Sequence, residues 1–181
     1  MSQDNQSVLL AVGGGIAAFK SAILCSRLAQ CGYHVRVAMT DSATQFIGAD
    51  TLAALSGRQV VQGIFNPAFP LGAHIEIVES IDVLAVVPTT ANLLAKFANG
   101  IADDLVSTAY LQATCPVLLA PAMSAAMWSK PAVQRNISQL REDGCHFIGP
   151  ESGWLSCRVS GEGRMSEPDA ILEAIESILN D

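Results

Sequence analysis

The chain has 181 residues, enough for one domain with a sizeable core, and a formal charge of −7. A pI near 4.8 without any basic stripe argues against a nucleic-acid or membrane-surface partner, and no apolar run approaches the ~20 residues of a membrane span. Half the residues are hydrophobic, only 15% are charged and the mean hydropathy is +0.36, a balance that predicts burial of surface in subunit contacts.

The opening MSQDNQS lacks the basic and apolar regions of a signal peptide, so a cytoplasmic location is expected. Five cysteines, Cys25, Cys31, Cys115, Cys145 and Cys157, form no CxxC pair and are odd in number. Neither a disulfide framework nor a zinc site follows, and thiols in a reducing compartment fit the pattern.

Ser7–Val12 reads as an apolar strand that runs into GGGIAAFK. Gly13, Gly15 and Ala18 fall on the G-x-G-x-x-G/A spacing, where small residues let the backbone turn tightly against a phosphate or ring. Ile16, Ile23, Leu24 and Leu28 then recur at helical spacing, Gly32 stops the helix, and Val35–Met39 is a second strand. At its end, Thr40-Asp41-Ser42-Ala43-Thr44 admits three readings. Asp41 could contact a nicotinamide ribose, the hydroxyls could hold a phosphomonoester at a helix N-terminus, or the segment could simply cap a helix toward Phe46.

A short helix at Leu52–Leu55, Gly57 and a strand-like Val60–Phe65 lead to a proline-rich surface loop, Asn66–Pro70. His74 follows that loop and is placed to reach the ligand edge of a sheet. His34 and His146 each begin a strand and read as structural.

The chain is organised around Asp82–Leu105. Val83–Val87 is a continuous, largely β-branched run, the mark of a strand buried on both faces of a parallel sheet. Pro88 is expected to end its ladder. Thr89 and Thr90 are expected to cap a helix starting near Ala91, where free N–H groups and the positive dipole end face an anion or polar ring. Asn92 stands at that mouth, where an open α/β sheet binds its ligand. A merely capped, solvated turn reads the same way.

Leu105–Ala113 is helical, and Pro116–Ala120 is a strand opening into Pro121–Trp128, whose Met123, Met127 and Trp128 are either core filler or ligand-facing. Ala132–Arg141 is a helix ended by Gly144, and His146–Ile148 a last strand. Glu151–Pro168 has no periodicity and carries Gly153, Gly161 and Gly163, which predicts a lid or binding loop. Within it Cys157 lies in polar surroundings beside Arg158, either a setting for thiol chemistry or an incidental exposed thiol. Asp169–Leu179 closes the chain as an amphipathic helix. The expected fold is a single α/β domain, a Rossmann-like or flavodoxin-like three-layer sandwich with a parallel sheet.

GGGIAAFK, the histidine of HIEI, PTTANLLAKFANGIADDL, PAMSAAMW and SGWLSCRVSGEGRMSEP, in this order, resemble the flavin-dependent cysteine decarboxylase family. The likeness spans Val8 to Pro168 and runs closest to the family's coenzyme A branch. It implies bound FMN and so decides Asp41 against a nicotinamide. Gly13, Gly14 and Gly15 would approach the flavin, Thr40 and Ser42 would hold its phosphate, and Thr90, Ala91, Asn92 and Ala122 would face it. His74 is then a base or orienting group and Cys157 a proton donor. Met123, Ser124, Arg164 and Met165 would contact substrate, with 151–168 as the clamp over it.

The implied substrate is a small cysteinyl molecule, 4′-phospho-N-pantothenoylcysteine. Its carboxylate has no electron sink of its own. In the family's chemistry, hydride transfer from Cβ to FMN gives a thioaldehyde, CO2 leaves to give an enethiol, and hydride return with a proton from Cys157 yields 4′-phosphopantetheine. Relatives acting on a peptide C-terminal cysteine stop at the enethiol. The other alternative is an impaired flavoprotein serving as a binding or regulatory subunit. Ser124 stands where the family motif has Asn, a lost contact worth ~1.5–3 kcal/mol. The resemblance also implies a homotrimer or dodecamer, and a separate ligase polypeptide for the step that a second domain performs in the bifunctional bacterial form.

Overall fold

The structure, a computed structural model, describes residues 6–180; most of the MSQDNQS segment lies outside the described residues. Four main strands, β1 (Ser7–Val12), β2 (His34–Met39), β4 (Val83–Thr89) and β5 (Val117–Pro121), are joined by two-residue strands β3 (Val61–Gln62) and β6 (His146–Phe147). They form one six-stranded sheet in the order β3-β2-β1-β4-β5-β6, parallel throughout. This is the Rossmann order, distinct from the flavodoxin order 2-1-3-4-5.

The apolar runs are continuous because each strand faces two helical layers. Val8, Leu10, Val12, Val83, Ala85 and Val87 pack toward α1 (Ala18–Gln30), α2 (Ala49–Ser56) and α8 (Pro168–Asn180). Their alternates Leu9, Ala11, Leu84 and Val86 pack toward α3 (Ala73–Glu76), α4 (Ala91–Ala98), α5 (Leu105–Gln112) and α7 (Pro131–Glu142). Leu9, Leu10, Leu84 and Leu119 are wholly buried, each contributing about 1.5–3 kcal/mol of burial. A one-turn helix, α6 (Ala125–Trp128), follows β5.

Four expectations from the sequence are corrected. Val60–Phe65 pairs only at Val61–Gln62, against Ala38 and Met39, and Phe65 is 97% exposed. Pro88 does not end β4, which continues to Thr89 through a register shift between Val86 and Thr89. A proline without an N–H is tolerated where the ladder is already broken. Thr89 is no cap either, since its buried hydroxyl donates to the Val86 carbonyl and accepts from the Ala120 amide.

The fourth correction concerns Glu151–Pro168, most of which is a β-hairpin rather than an irregular loop. β7 (Glu151–Trp154) pairs antiparallel with β8 (Ser160–Arg164), outside the main sheet, and Gly153 faces Gly161 across it. The alternation that would announce strands is missing because glycines stand at those positions.

Candidate active site

The strand order reverses between β1 and β4, and the site begins at their carboxyl ends. The Gly13 amide donates to the Pro88 carbonyl at 3.2 Å, tying the two strand ends together. A β-carbon on Gly13 would collide with that carbonyl and with Leu93, and one on Gly14 would collide with Ser42. Gly15 differs: nothing lies within 4 Å of where its β-carbon would stand. Two glycines thus let the chain pack on itself, and the third leaves a face open.

At the end of β2, Thr40 caps a 3-10 turn over Asp41–Gln45 by accepting from the Ala43 amide at 3.2 Å. Its hydroxyl pairs with that of Ser42 at 3.1 Å, so two side-chain hydroxyls stand together beside Gly14. Asp41 is exposed. Across the crevice Thr90 caps α4, accepting from the Leu93 amide at 3.2 Å, with Ala91 and the exposed Asn92 in the first turn. The free amides of that turn give the mouth a positive character.

Beside this mouth lies a cavity of about 410 Å³ that brings together Gly15, Ala122, Met123, Ser124, Cys157, Arg164 and Met165. Ser124 caps α6, its hydroxyl accepting from the Met127 amide at 3.3 Å. Cys157 occupies the hairpin tip, in a turn closed by the Arg158 amide on the Leu155 carbonyl at 2.9 Å, and is the exposed one of the five free thiols. Cys25 is its opposite, since burial in the core pushes that thiol up to about 11. At the hairpin base, Gly163 has φ 128° and its carbonyl accepts from the Met123 amide at 3.0 Å. A β-carbon there would run into the Met123 carbonyl, so the hairpin is seated directly on the β5–α6 turn.

Among the wall residues that sequence reading did not assign are two charged ones, Lys20 and Glu167. The Lys20 ammonium donates to the Met165 carbonyl at 3.1 Å and to Glu167 at 2.9 Å, and the Arg164 guanidinium also pairs with Glu167. Hydrogen bonds from Lys20 and Arg164 hold the Glu167 carboxyl below its usual range. The signal for Lys20 lay in its place in GGGIAAFK, one turn beyond the glycines.

His74 is not brought to Cys157. It lies on α3, in the other helical layer and packed near α5, and does not line the cavity. Its Nδ1 is buried without a hydrogen-bond partner among the described residues. Thr40, Ser42, Thr90, Ala91 and Asn92 also stand outside the cavity wall, around the adjoining crevice. Exposed apolar side chains flank both halves, with Leu71 and Ile75 near His74 and Ile16, Phe19 and Trp154 near Cys157.

A doubly wound sheet with a glycine turn at its switch point, paired hydroxyls on the next strand and a capped helix opposite defines an α/β cofactor-binding protein. The flavoprotein family pattern matches residues 1–180, and the chain belongs to that family. It is 45% identical over 174 residues to the coenzyme A biosynthesis bifunctional protein CoaBC of Bacillus subtilis, covering 96% of this chain and 43% of that protein. The chain therefore spans less than half the length of such relatives. Among solved structures, the FMN-dependent cysteine decarboxylase SpaF matches with a TM-score of 0.86 and 35% identity, over 97% of this chain and 96% of its own. A mutant PPC decarboxylase complexed with pantothenoylaminoethenethiol matches with a TM-score of 0.89 and 29% identity, over 98% of this chain and 100% of its own. No helix among the described residues is long and apolar enough to cross a membrane.

Proposed function

We propose that this chain binds FMN at the switch-point crevice and decarboxylates 4′-phospho-N-pantothenoylcysteine to 4′-phosphopantetheine, a step of coenzyme A biosynthesis. The observation that carries this reading is the cavity joining Gly15, at the end of the glycine turn, to Cys157 on the hairpin, with Met123 and Ser124 in the same wall. The similar proteins support it, being a coenzyme A biosynthesis protein, an FMN-dependent cysteine decarboxylase and a PPC decarboxylase.

The residues present fit a flavin nucleotide. Gly15 leaves open space at the cavity edge, and the paired hydroxyls of Thr40 and Ser42 are donors suited to a phosphate. Gly13 and Gly14 keep the turn low, and Thr90, Ala91 and Asn92 at the start of α4, together with Ala122, would hold the ring. When bound, FMN supplies a hydride acceptor that later returns the hydride.

The chain's own groups do the rest. Met123, Ser124, Arg164 and Met165 hold the substrate, the Ser124 O–H and the Arg164 guanidinium offering donors to its anionic groups. Cys157 Sγ gives a proton to the enethiol carbon, and His74 takes or orients the substrate thiol proton.

Because one chain does not unite His74 with Cys157, we assign the complete site to a contact between copies, in a homotrimer or a dodecamer of trimers. The exposed apolar side chains beside each half support that assembly. The free thiols fit a cytoplasmic setting. The test is mass spectrometry of products after the FMN-loaded protein is incubated with 4′-phospho-N-pantothenoylcysteine. Formation of 4′-phosphopantetheine is the expected result, and unreacted substrate with flavin bound overturns the reading.

A further inference from the structure

The hairpin that carries Cys157 pairs only with itself and is absent from the six-stranded sheet. Apart from its packing on α6, two polar ties hold its base. One is the Met123 amide on the Gly163 carbonyl, at 3.0 Å. The other is Lys20, whose ammonium reaches the Met165 carbonyl at 3.1 Å, just past the end of β8, and Glu167 at 2.9 Å.

Lys20 is one of the least exposed cations among the described ion pairs. Its side chain is only 12% exposed, and its partners lie 145 and 147 residues away in sequence. It sits on α1, which starts directly after the glycine turn, so its contacts span from the wall of the cofactor crevice to the root of the hairpin. Arg164 meets the same Glu167 but is 38% exposed and belongs to the hairpin itself, so it adds no tie to the body of the domain.

We propose that Lys20 is a positioning residue: through the Met165 carbonyl and Glu167 it latches the hairpin so that Cys157 stands over the reaction cavity when a proton must be delivered. The proposal rests on the decarboxylase reading for its chemical consequence. With the latch lost, CO2 still leaves, but the enethiol departs before Cys157 protonates it, and dissolved dioxygen reoxidises the reduced cofactor.

The experiment compares wild type, Lys20→Met, Lys20→Arg and, as a control, Arg27→Met. The control removes a second α1 ion pair, that of Arg27 with Asp169 on α8, which involves neither the Met165 carbonyl nor Glu167. Amide hydrogen exchange is read across β7 and β8, and the ratio of enethiol to 4′-phosphopantetheine is read in air by mass spectrometry. In Lys20→Met, exchange in the hairpin is expected to rise about tenfold or more, with β1 and β4 unchanged. The product ratio is expected to shift toward enethiol by a similar factor, to recover in part in Lys20→Arg, and to stay at the wild-type value in Arg27→Met. Wild-type hairpin exchange in Lys20→Met overturns the latch, as does an unchanged product ratio. If wild type forms no decarboxylated product, the functional reading fails, and the exchange comparison still decides the latch.

Discussion

The Thr89 hydroxyl lies 3.1 Å from the Ala120 amide, from which it accepts, and 2.7 Å from the Val86 carbonyl, to which it donates. One fully buried side chain thus takes the place of a missing backbone rung where the β4–β5 register shifts. The strand end beyond it then carries the Pro88 carbonyl to Gly13 and the Thr89 carbonyl to the Ala122 amide. Replacement by the near-isosteric valine leaves a buried donor and a buried acceptor without their partner. Thr89→Val is expected to cost about 1–3 kcal/mol in urea unfolding; an unchanged midpoint would show that the hydroxyl is dispensable.

Gly15 separates folding from cofactor binding. Its added β-carbon meets nothing within 4 Å, so Gly15→Ala is expected to stay within about 0.5 kcal/mol of wild-type stability. If the flavin lies against this residue, the same variant loses FMN affinity, as read by flavin fluorescence titration. Wild-type affinity would move the ring elsewhere in the crevice.

Placement of His74 and Cys157 on different parts of the chain predicts complementation. His74→Asn and Cys157→Ser are each expected to form little 4′-phosphopantetheine, and co-assembly of the two is expected to restore part of it. Mixed oligomers contain some sites with both native residues only if those residues come from different copies. No recovery in a verified mixed assembly would place both in one chain's site.

The Ser124 hydroxyl already accepts from the Met127 amide, which leaves it a single short O–H donor for the substrate. An asparagine could cap the same amide through its carbonyl oxygen and leave an NH2 group for the substrate. Ser124→Asn is therefore expected to raise turnover, by roughly ten- to a hundredfold if the added bond is felt only in the transition state. Equal or lower turnover counts against a role for this position.

Lys96 bridges the end of α4 and the cap of α5, with Asp103 and Asp104 each at 2.5 Å. Burial pushes the Asp104 carboxyl up, but the Lys96 ammonium and the Ser107 amide and hydroxyl outweigh it and hold the group below its ordinary 3.8. For Lys96, burial acts downward, and bonds to Asp103 and Asp104 prevail, leaving it raised from 10.5. The carboxylate's contribution is thus present above about pH 4 and lost as the pH falls through its lowered folded value. The ammonium's contribution is present below its ordinary value and lost as the pH rises through the raised one. Lys96→Met is expected to cost about 1–3 kcal/mol at pH 7, a deficit that narrows below pH 4 as Asp104 protonates. A deficit independent of pH in thermal or urea unfolding would assign the loss to packing alone.

Much of this protein was legible locally. The β-branched run Val83–Val87, the helix-spaced leucines after GGGIAAFK and the positions of Thr90 and Gly32 answer to short-range sterics, periodicity and capping, and those elements stand where the residues put them. Cys157 as an exposed thiol also follows from its immediate neighbours, whereas the capping of α6 by Ser124 emerged only from the structure. The hairpin was hidden because glycine at Gly153, Gly161 and Gly163 erases the alternation that marks a strand, and its pairing is visible only once both halves meet.

What only the tertiary structure decided is long-range partnership. The β1–β4 adjacency that creates the crevice, the Thr89 bond to Ala120 and the reach of Lys20 to Met165 join residues distant in the chain. The same holds for the separation of His74 from the cavity, which depends on which helical layer α3 joins. Residue type and spacing determine what a segment can form and which groups it can offer. Which of those groups meet is determined by how the sheet is wound, because burial of both its faces dictates strand order and helix side.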